Sequence, residues 1–292
     1  MANQKTNLDP NLKSMILGFQ KNELTEYYVY KKLARFAKNE KNQKTLSQIA
    51  EEEKNHHDIW QRYTQTKIRP KKSVIKFYPL LAKIFGITFA VKLMEKGEER
   101  AQHGYQKVLD VFPETKKIFD QENHHEYQLI RILQEERLSY LGSMVLGLND
   151  ALVELTGALA GLSFALQDTR LVALAGSITG IAASMSMAAS EYLSKKTEKD
   201  PTAFKSAIYT GLAYISTVIL LVIPFLVFSH YQQALPTSLL IAVIIILAFT
   251  FFSAVVQDLS FKKKFGEMLG ITFGVAFLSF LIAIGLRYFF GI

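Results

Sequence analysis

The stretch EEEKNHH, residues 51–57, puts three carboxylates and two imidazoles inside seven residues of a segment whose apolar spacing is helical. QENHHE, residues 121–126, repeats the pattern. In each, a Glu stands three residues before a His: Glu53 with His56, and Glu122 with His125. Residues three apart project from nearly the same side of a helix, so each pair can reach one ion together. A single match of this kind is usually a solvated helix face, but two matches call for a shared explanation.

Working outward, apolar spacing and helix breakers divide the first half into four helices, near residues 12–37, 43–65, 78–108 and 114–138. The longest join, residues 66–73, contains Pro70 and lies in the middle. Two hairpins joined by a long crossover is the ferritin-like arrangement. Its core binds metal with a Glu from each of two helices and a Glu-x-x-His from each of the others. The sequence offers that set: Glu23 on the first helix, Glu53 and His56 on the second, Glu98 on the third, Glu122 and His125 on the fourth. Glu95, one turn before Glu98, makes a Glu-x-x-Glu pair whose part stays open. Four carboxylates and two neutral imidazoles suit two divalent first-row ions, iron or manganese. Tyr30 follows Glu23 by seven residues and Tyr105 follows Glu98 by seven, as a duplicated hairpin would have it. Glu51, Glu52, His57, His124 and Glu126 read as surface neighbours, and Glu26 and Glu99 likewise. The apolar run PLLAKIFGITFAVKLM, residues 79–94, is interrupted by Lys83 and Lys92 and is assigned to the third helix.

Composition narrows the chemistry. With no cysteine in 292 residues, disulfides, zinc thiolates and Cys-ligated iron–sulfur clusters are excluded, and any metal must take oxygen and imidazole. The net charge of +8 is divided between Lys mixed with Glu in the first half and short Lys-rich loops in the second, which points to a membrane surface and away from nucleic acid. Five of the six histidines lie in the first 140 residues. The amino terminus, MANQKTNLDP, has no apolar core of the kind a cleavable signal peptide needs.

From about Ser139 the chain changes solvent. Crossing a bilayer takes about 20 apolar residues in a helix, and five segments qualify: 140–166, 171–192, 207–228, 235–256 and 268–290. The Lys-rich connections at 195–205 and 262–264 belong on the cytoplasmic side, and an odd number of spans puts the amino-terminal half there too. The first two spans are rich in Gly, Ala and Ser, with Gly157 and Gly161, and Gly176 and Gly180, at four-residue spacing, so they are expected to form the protein-facing centre. Within them stand Asp150 and Glu154 on one helical face, then Met185, Met187 and Glu191. An acid at mid-bilayer costs at least about 2.5 to 3.5 kcal/mol, and such residues usually mark an ion pathway.

GLNDALVELTGALAGLS, residues 147–163, followed by SMSMAASEYLS, residues 184–194, resembles the first two transmembrane helices of the vacuolar iron transporter family. The resemblance implies a five-span homodimer that moves ferrous iron, and sometimes manganese, out of the cytosol in exchange for protons. It assigns metal-pathway roles to Asp150, Met187 and Glu191. Ala151 stands where that family usually has Gly, Glu154 is an additional acid, and the short loop at 195–202 leaves no room for the helical metal-binding insert of several plant-type relatives. Residues 10–138 are similar to the ferritin-like, rubrerythrin-type domain, although the absence of cysteine rules out the rubrerythrin iron–thiolate centre. Together the two halves resemble the bacterial membrane-bound ferritins.

The resulting expectation is an all-α chain with a cytoplasmic ferritin-like four-helix bundle over 1–138, holding two iron ions or manganese, and a five-helix transmembrane domain over 139–292. It would sit in the cell membrane as a homodimer and export divalent metal against protons without any role for nucleic acid. The alternatives are a membrane-anchored di-iron ferroxidase or peroxide-scavenging enzyme, and an iron sensor that gates the membrane half.

Overall fold

A computed structural model of the chain describes residues 9–37, 39–105, 112, 116–118, 120–122, 125, 129 and 140–291, with the backbone alone at 98–105. All regular structure among the described residues is helical: α1 Pro10–Ala34, α2 Glu40–Thr64, α3 Lys72–Phe85, α4 Ile87–Tyr105, α5 Leu141–Leu166, α6 Thr169–Thr197, α7 Ala203–Val227, α8 Tyr231–Val256 and α9 Phe261–Phe290. Residues 116–118, 120–122, 125 and 129 are also helical; the rest of the expected fourth bundle helix lies outside the described residues. The chain divides into two compact units, Met1–Glu135 and Glu136–Ile292.

In the first unit α1 begins at Pro10, whose fixed φ suits a first helical position. α2 is capped by the Asn39 side chain, which accepts from Lys41 N at 2.8 Å, and it ends at Gln65 in the left-handed region. Tyr30, Leu33 and Ala34 near the end of α1 share one apolar cluster with Leu46, Ile49 and Ala50 near the start of α2. Ile16 and Phe19 near the start of α1 cluster with Trp60 near the end of α2. The two helices are therefore an antiparallel hairpin. The crossover that follows is tied back to α1: Gln20 Nε2 donates to Thr66 O at 2.9 Å, Thr64 Oγ1 donates to Gln20 Oε1 at 2.7 Å, and Lys71 N donates to Thr25 Oγ1 at 3.0 Å.

The third helix departs from its expected form. In place of one helix over 78–108 the chain makes two, separated by Gly86 at φ 97°, a backbone conformation open to glycine and strained for any other residue. α4 carries Ile87, Ala90, Val91 and Met94 into the bundle core, whereas α3 buries only Ile75, Pro79 and Ala82.

The second unit has five helices long and apolar enough to cross a membrane, α5 to α9, and the protein is an integral membrane protein with five spans. Lys262–Lys264, expected in a loop, form the first turn of α9. Burial in this unit also differs from the expected pattern. In their most apolar stretches α5 and α7 are each 44% buried, against 39% for α8, 28% for α6 and 17% for α9, so span three is more enclosed within this chain than span two. α7 packs along both α5 and α6, leaving one face of α6 outward with Leu174, Ile178, Ile181 and Met185 exposed. The spaced glycines serve packing within this chain. A Cβ at Gly157 would meet Val275 at 3.0 Å, one at Gly176 would meet Leu159 at 2.7 Å, and one at Gly180 would meet Val218 at 2.6 Å. The connection between α6 and α7 is closed by Asp200, which accepts from Thr202 N at 2.8 Å, Thr202 Oγ1 at 2.7 Å and Lys195 Nζ at 3.1 Å.

The tightest helix approach is at Gly147, where an added Cβ would lie 2.4 Å from the backbone oxygen of Thr210. Backbone cannot yield as a side-chain tip can, and overpacking of this kind costs about 1 to 3 kcal/mol. Gly147→Ala should lower the thermal unfolding midpoint of the detergent-solubilised protein, while Gly142→Ala, with open space around it, should leave it unchanged.

Candidate metal centre

Along α1 the buried stripe runs Ile16, Phe19, Gln20, Glu23, Tyr27, Tyr30 and Leu33; along α2 it runs Leu46, Ile49, Glu53, His56 and Trp60. Apart from the adjacent Phe19 and Gln20, each step is three or four residues, so these side chains fall on the face the helix turns inward. Because the helices are antiparallel, Glu23 meets Glu53 and His56 in one polar layer between the two apolar clusters. Glu122 and His125 join it from the fourth helical segment.

The imidazole of His56 is the hub. Its Nδ1 lies 2.9 Å from Glu122 Oε1, 3.5 Å from Glu53 Oε2 and 3.6 Å from Glu23 Oε2. The side chains of His56, Glu23 and Glu53 are each 1% exposed, and that of Glu122 is 11% exposed. One potential ligand atom from each of Glu23, Glu53, His56 and Glu122 lies within 4.8 Å of the other three, a group able to hold a metal ion. His125 stacks on His56 with ring centroids 5.9 Å apart, and its Nδ1 lies 3.3 Å from Glu53 Oε1 and 3.7 Å from Glu122 Oε2.

Outside this layer each ligand atom's neighbour is held in place. His56 Nε2 faces Gln121 Oε1 at 3.2 Å, and His125 Nε2 is bonded to the carboxylate of Glu52. With Nε2–H donating to those oxygens, both Nδ1 atoms face the carboxylates and would be the nitrogens to give up a proton to a cation, the tautomer a metal-ligating histidine adopts when its second nitrogen is engaged. Trp60 Nε1 donates to Glu23 Oε1 at 3.3 Å. Glu53 Oε2 and the Nδ1 atoms of His56 and His125 are buried without a hydrogen bond of acceptable geometry. Buried polar atoms are almost always satisfied, so three that converge on one layer fit a divalent cation.

The charges are arranged to the same end. Burial, with Glu53 and Glu122 nearby, pushes Glu23 up to about 8 despite its contact with His56. Glu53 is moved the other way: burial opposes its charge, but bonds to His125 and His56 outweigh that and hold it below the usual carboxylate range. Burial also works against the charged forms of the histidines. The carboxylates prevail, with Glu122 and Glu23 raising His56 well above its ordinary value, and Glu122 and Glu53 pushing His125 up to about 11. Protons thus neutralise the layer when no cation does.

Several sequence expectations are revised here. Glu52, read as a surface neighbour, bonds His125, and His57, read the same way, is buried with Nδ1 against Gln20 O at 3.0 Å and Nε2 against Gln61 Oε1 at 3.1 Å. Glu26 is half-buried and raised well above the usual carboxylate range by burial and by Glu23, Glu53, Glu122 and Glu95. Their charge had suggested solvent; the helix register turns them inward. Glu95 accepts from Tyr30 Oη at 2.5 Å, and burial pushes it up to about 8. The side chains of Glu98, Glu99 and Tyr105, and His124 and Glu126 altogether, lie outside the described residues.

In the membrane unit Glu191 is buried and accepts from Ser143 Oγ at 2.6 Å, while the Ser143 carbonyl accepts from Thr210 Oγ1 at 3.0 Å. Glu154 accepts from Tyr214 Oη at 2.7 Å. Asp150 is half-buried, and Met187 packs partly buried against the apolar core. Among the described residues Asp150, Glu154 and Glu191 do not converge on one ligand group as the bundle residues do. Ser143, Thr210 and Tyr214 had no sequence signal, since a hydroxyl in an apolar helix becomes informative only when its acidic partner is known.

Cation binding by the bundle requires shedding the protons held at neutral pH by Glu23, near 8, and by His125, near 11. Affinity for Mn²⁺ should therefore rise with pH, by about tenfold per pH unit for each proton released. Calorimetry in buffers of different ionisation enthalpy would read that release directly. Glu53→Ala and His56→Ala should abolish it; a pH-independent affinity in the unaltered protein would count against this ligand set.

Comparison with known proteins adds one finding. The sequence model of the VIT family matches residues 141–204, which cover α5, α6 and the connection into α7. No curated protein and no solved structure matches the chain.

Proposed function

We propose that the protein exports ferrous iron, with manganese as the alternative cargo, from the cytoplasm across the cell membrane in exchange for protons, and that its amino-terminal bundle is a cytoplasmic ferritin-like domain that gathers the metal. The observation that carries this reading is the VIT family match over 141–204, the segment that bears Asp150, Glu154, Met187 and Glu191. The bundle's Glu23, Glu53, His56 and Glu122 support a metal as cargo. His125 stands beside that group, and Glu95 with the sequence-expected Glu98 would add donors for a second ion.

Carboxylate oxygen, imidazole and thioether sulfur together favour iron or manganese over magnesium and calcium, which prefer all-oxygen shells. Protonation of Asp150, Glu154 and Glu191 on the far side would weaken their hold on the ion and release it. A loading site at the bundle compensates for the short 195–202 connection, which has no insert to collect metal. The proposed transporter would act as a homodimer, as the family resemblance implies.

A second reading rests on the bundle's donor set: two imidazoles among several carboxylates also suit oxidation of ferrous iron by oxygen or peroxide, with the spans as an anchor. One experiment separates the two. In proteoliposomes with an imposed pH gradient, the unaltered protein should carry Fe²⁺ or Mn²⁺, Asp150→Ala should carry none, and both should keep metal binding at the bundle. Iron oxidation that persists in both proteins with no flux in either would favour the enzyme.

A further inference from the structure

Among the described residues α3 is the bundle helix whose outer face is apolar. Phe77, Leu80 and Ile84 are 49%, 56% and 58% exposed, and their spacing places them on one stripe opposite the buried Ile75, Pro79 and Ala82. Lys72, Lys76 and Lys83 line one edge of that stripe by the same helical geometry. Between Asp58 and Glu95 the chain has no acidic residue, yet 67–83 carries Lys67, Arg69, Lys71, Lys72, Lys76 and Lys83. Among the described residues no carboxylate pairs with Lys72, Lys76 or Lys83. The break at Gly86 separates this helix from α4.

We propose that α3 is an interfacial helix that lies on an anionic lipid surface, with Phe77, Leu80 and Ile84 in the acyl boundary and the lysines reaching phosphate headgroups. A helix with an apolar stripe and a Lys-rich flank is the pattern of in-plane membrane binding, and lysine stems can cover apolar surface while their ammonium groups reach outward. Charge chooses the occupant. A second copy docked about a two-fold axis would set the same lysines against one another, whereas an anionic leaflet is complementary to them. A bilayer is always at hand, because the same chain carries five spans. The contact would tether the metal-gathering bundle to the membrane surface.

The absence of cysteine makes the test clean, since a single introduced thiol takes a single label. Leu80→Cys and, as a control on exposed α2, Gln43→Cys would be spin-labelled in the full-length protein and reconstituted in mixed phosphatidylglycerol and phosphatidylcholine bilayers. The label at position 80 should be reached by oxygen and protected from a water-soluble relaxant, while the label at 43 remains open to the relaxant. Each lysine near an anionic surface contributes roughly fivefold to the partition, so neutralising Lys72, Lys76 and Lys83 to Gln should weaken it on the order of a hundredfold. Bilayers of phosphatidylcholine alone should weaken it in the unaltered sequence, independently of any folding defect in the variant. Water access at position 80 equal to that at 43 in the anionic bilayer would overturn the proposal. Short-range coupling between labels at position 80 of two copies would overturn it in favour of a protein contact.

Discussion

The amino-terminal unit is organised by the cost of taking carboxylates out of water. Glu23 and Glu53 are as buried as Leu33 and Leu46 in the neighbouring apolar cluster, and an isolated charge in such a place carries a penalty of several kcal/mol even after relaxation. The layer is tolerable because every charge has an answer. A proton sits on Glu23, two imidazoles offset Glu53 and Glu122, and Trp60, Gln121 and Glu52 fix the outer atoms. Burying the layer between two apolar clusters also lowers the local dielectric, which strengthens whatever attraction a divalent cation would bring. A cation would replace the protons as the neutralising charge, and the protein's affinity for it is therefore tied to pH.

The membrane unit meets the same difficulty in another way. Its acids are dispersed, and each of two takes a hydroxyl from a neighbouring helix: Ser143 for Glu191 and Tyr214 for Glu154. A hydrogen bond from a neutral donor allows a carboxyl group to change protonation without leaving a counter-charge stranded. That would suit the ion uptake and release proposed for this unit. The bundle's concentrated cluster, in contrast, suits holding one. Close helix packing at Gly147, Gly176 and Gly180 keeps the hydroxyl partners within reach, because any larger residue would separate the helices that carry them.

Gly86 links fold and position in the first unit. Without a break there, α3 and α4 would form one helix and the apolar residues 77–84 would extend along the bundle axis. With it, α4 delivers Glu95 to Tyr30 and packs Val91 and Met94 in the core, while α3 is left with an apolar outer stripe and a basic edge. One left-handed residue thus separates the part of the third helix that builds the site from the part that faces outward.

Period and composition were enough to establish the helical class, the five spans and the Glu-x-x-His pairs, because helix formation and membrane insertion depend on local spacing and summed apolarity, both written directly in the chain. Glu23, Glu53, His56 and Glu122 could be named in advance because two Glu-x-x-His pairs, with a Glu on the helix before the first, form a pattern of local spacing. What required the tertiary structure was register between elements. Whether Glu52, Glu26 and His57 face water or the core depends on how far one helix is rotated against the next, and a charged residue gives no local sign of it. The break at Gly86, the enclosure of α7 and the hydroxyl partners of Glu191 and Glu154 were equally beyond a one-dimensional reading. The last two arise from contacts between residues distant in sequence, and only the folded chain brings such residues to one point.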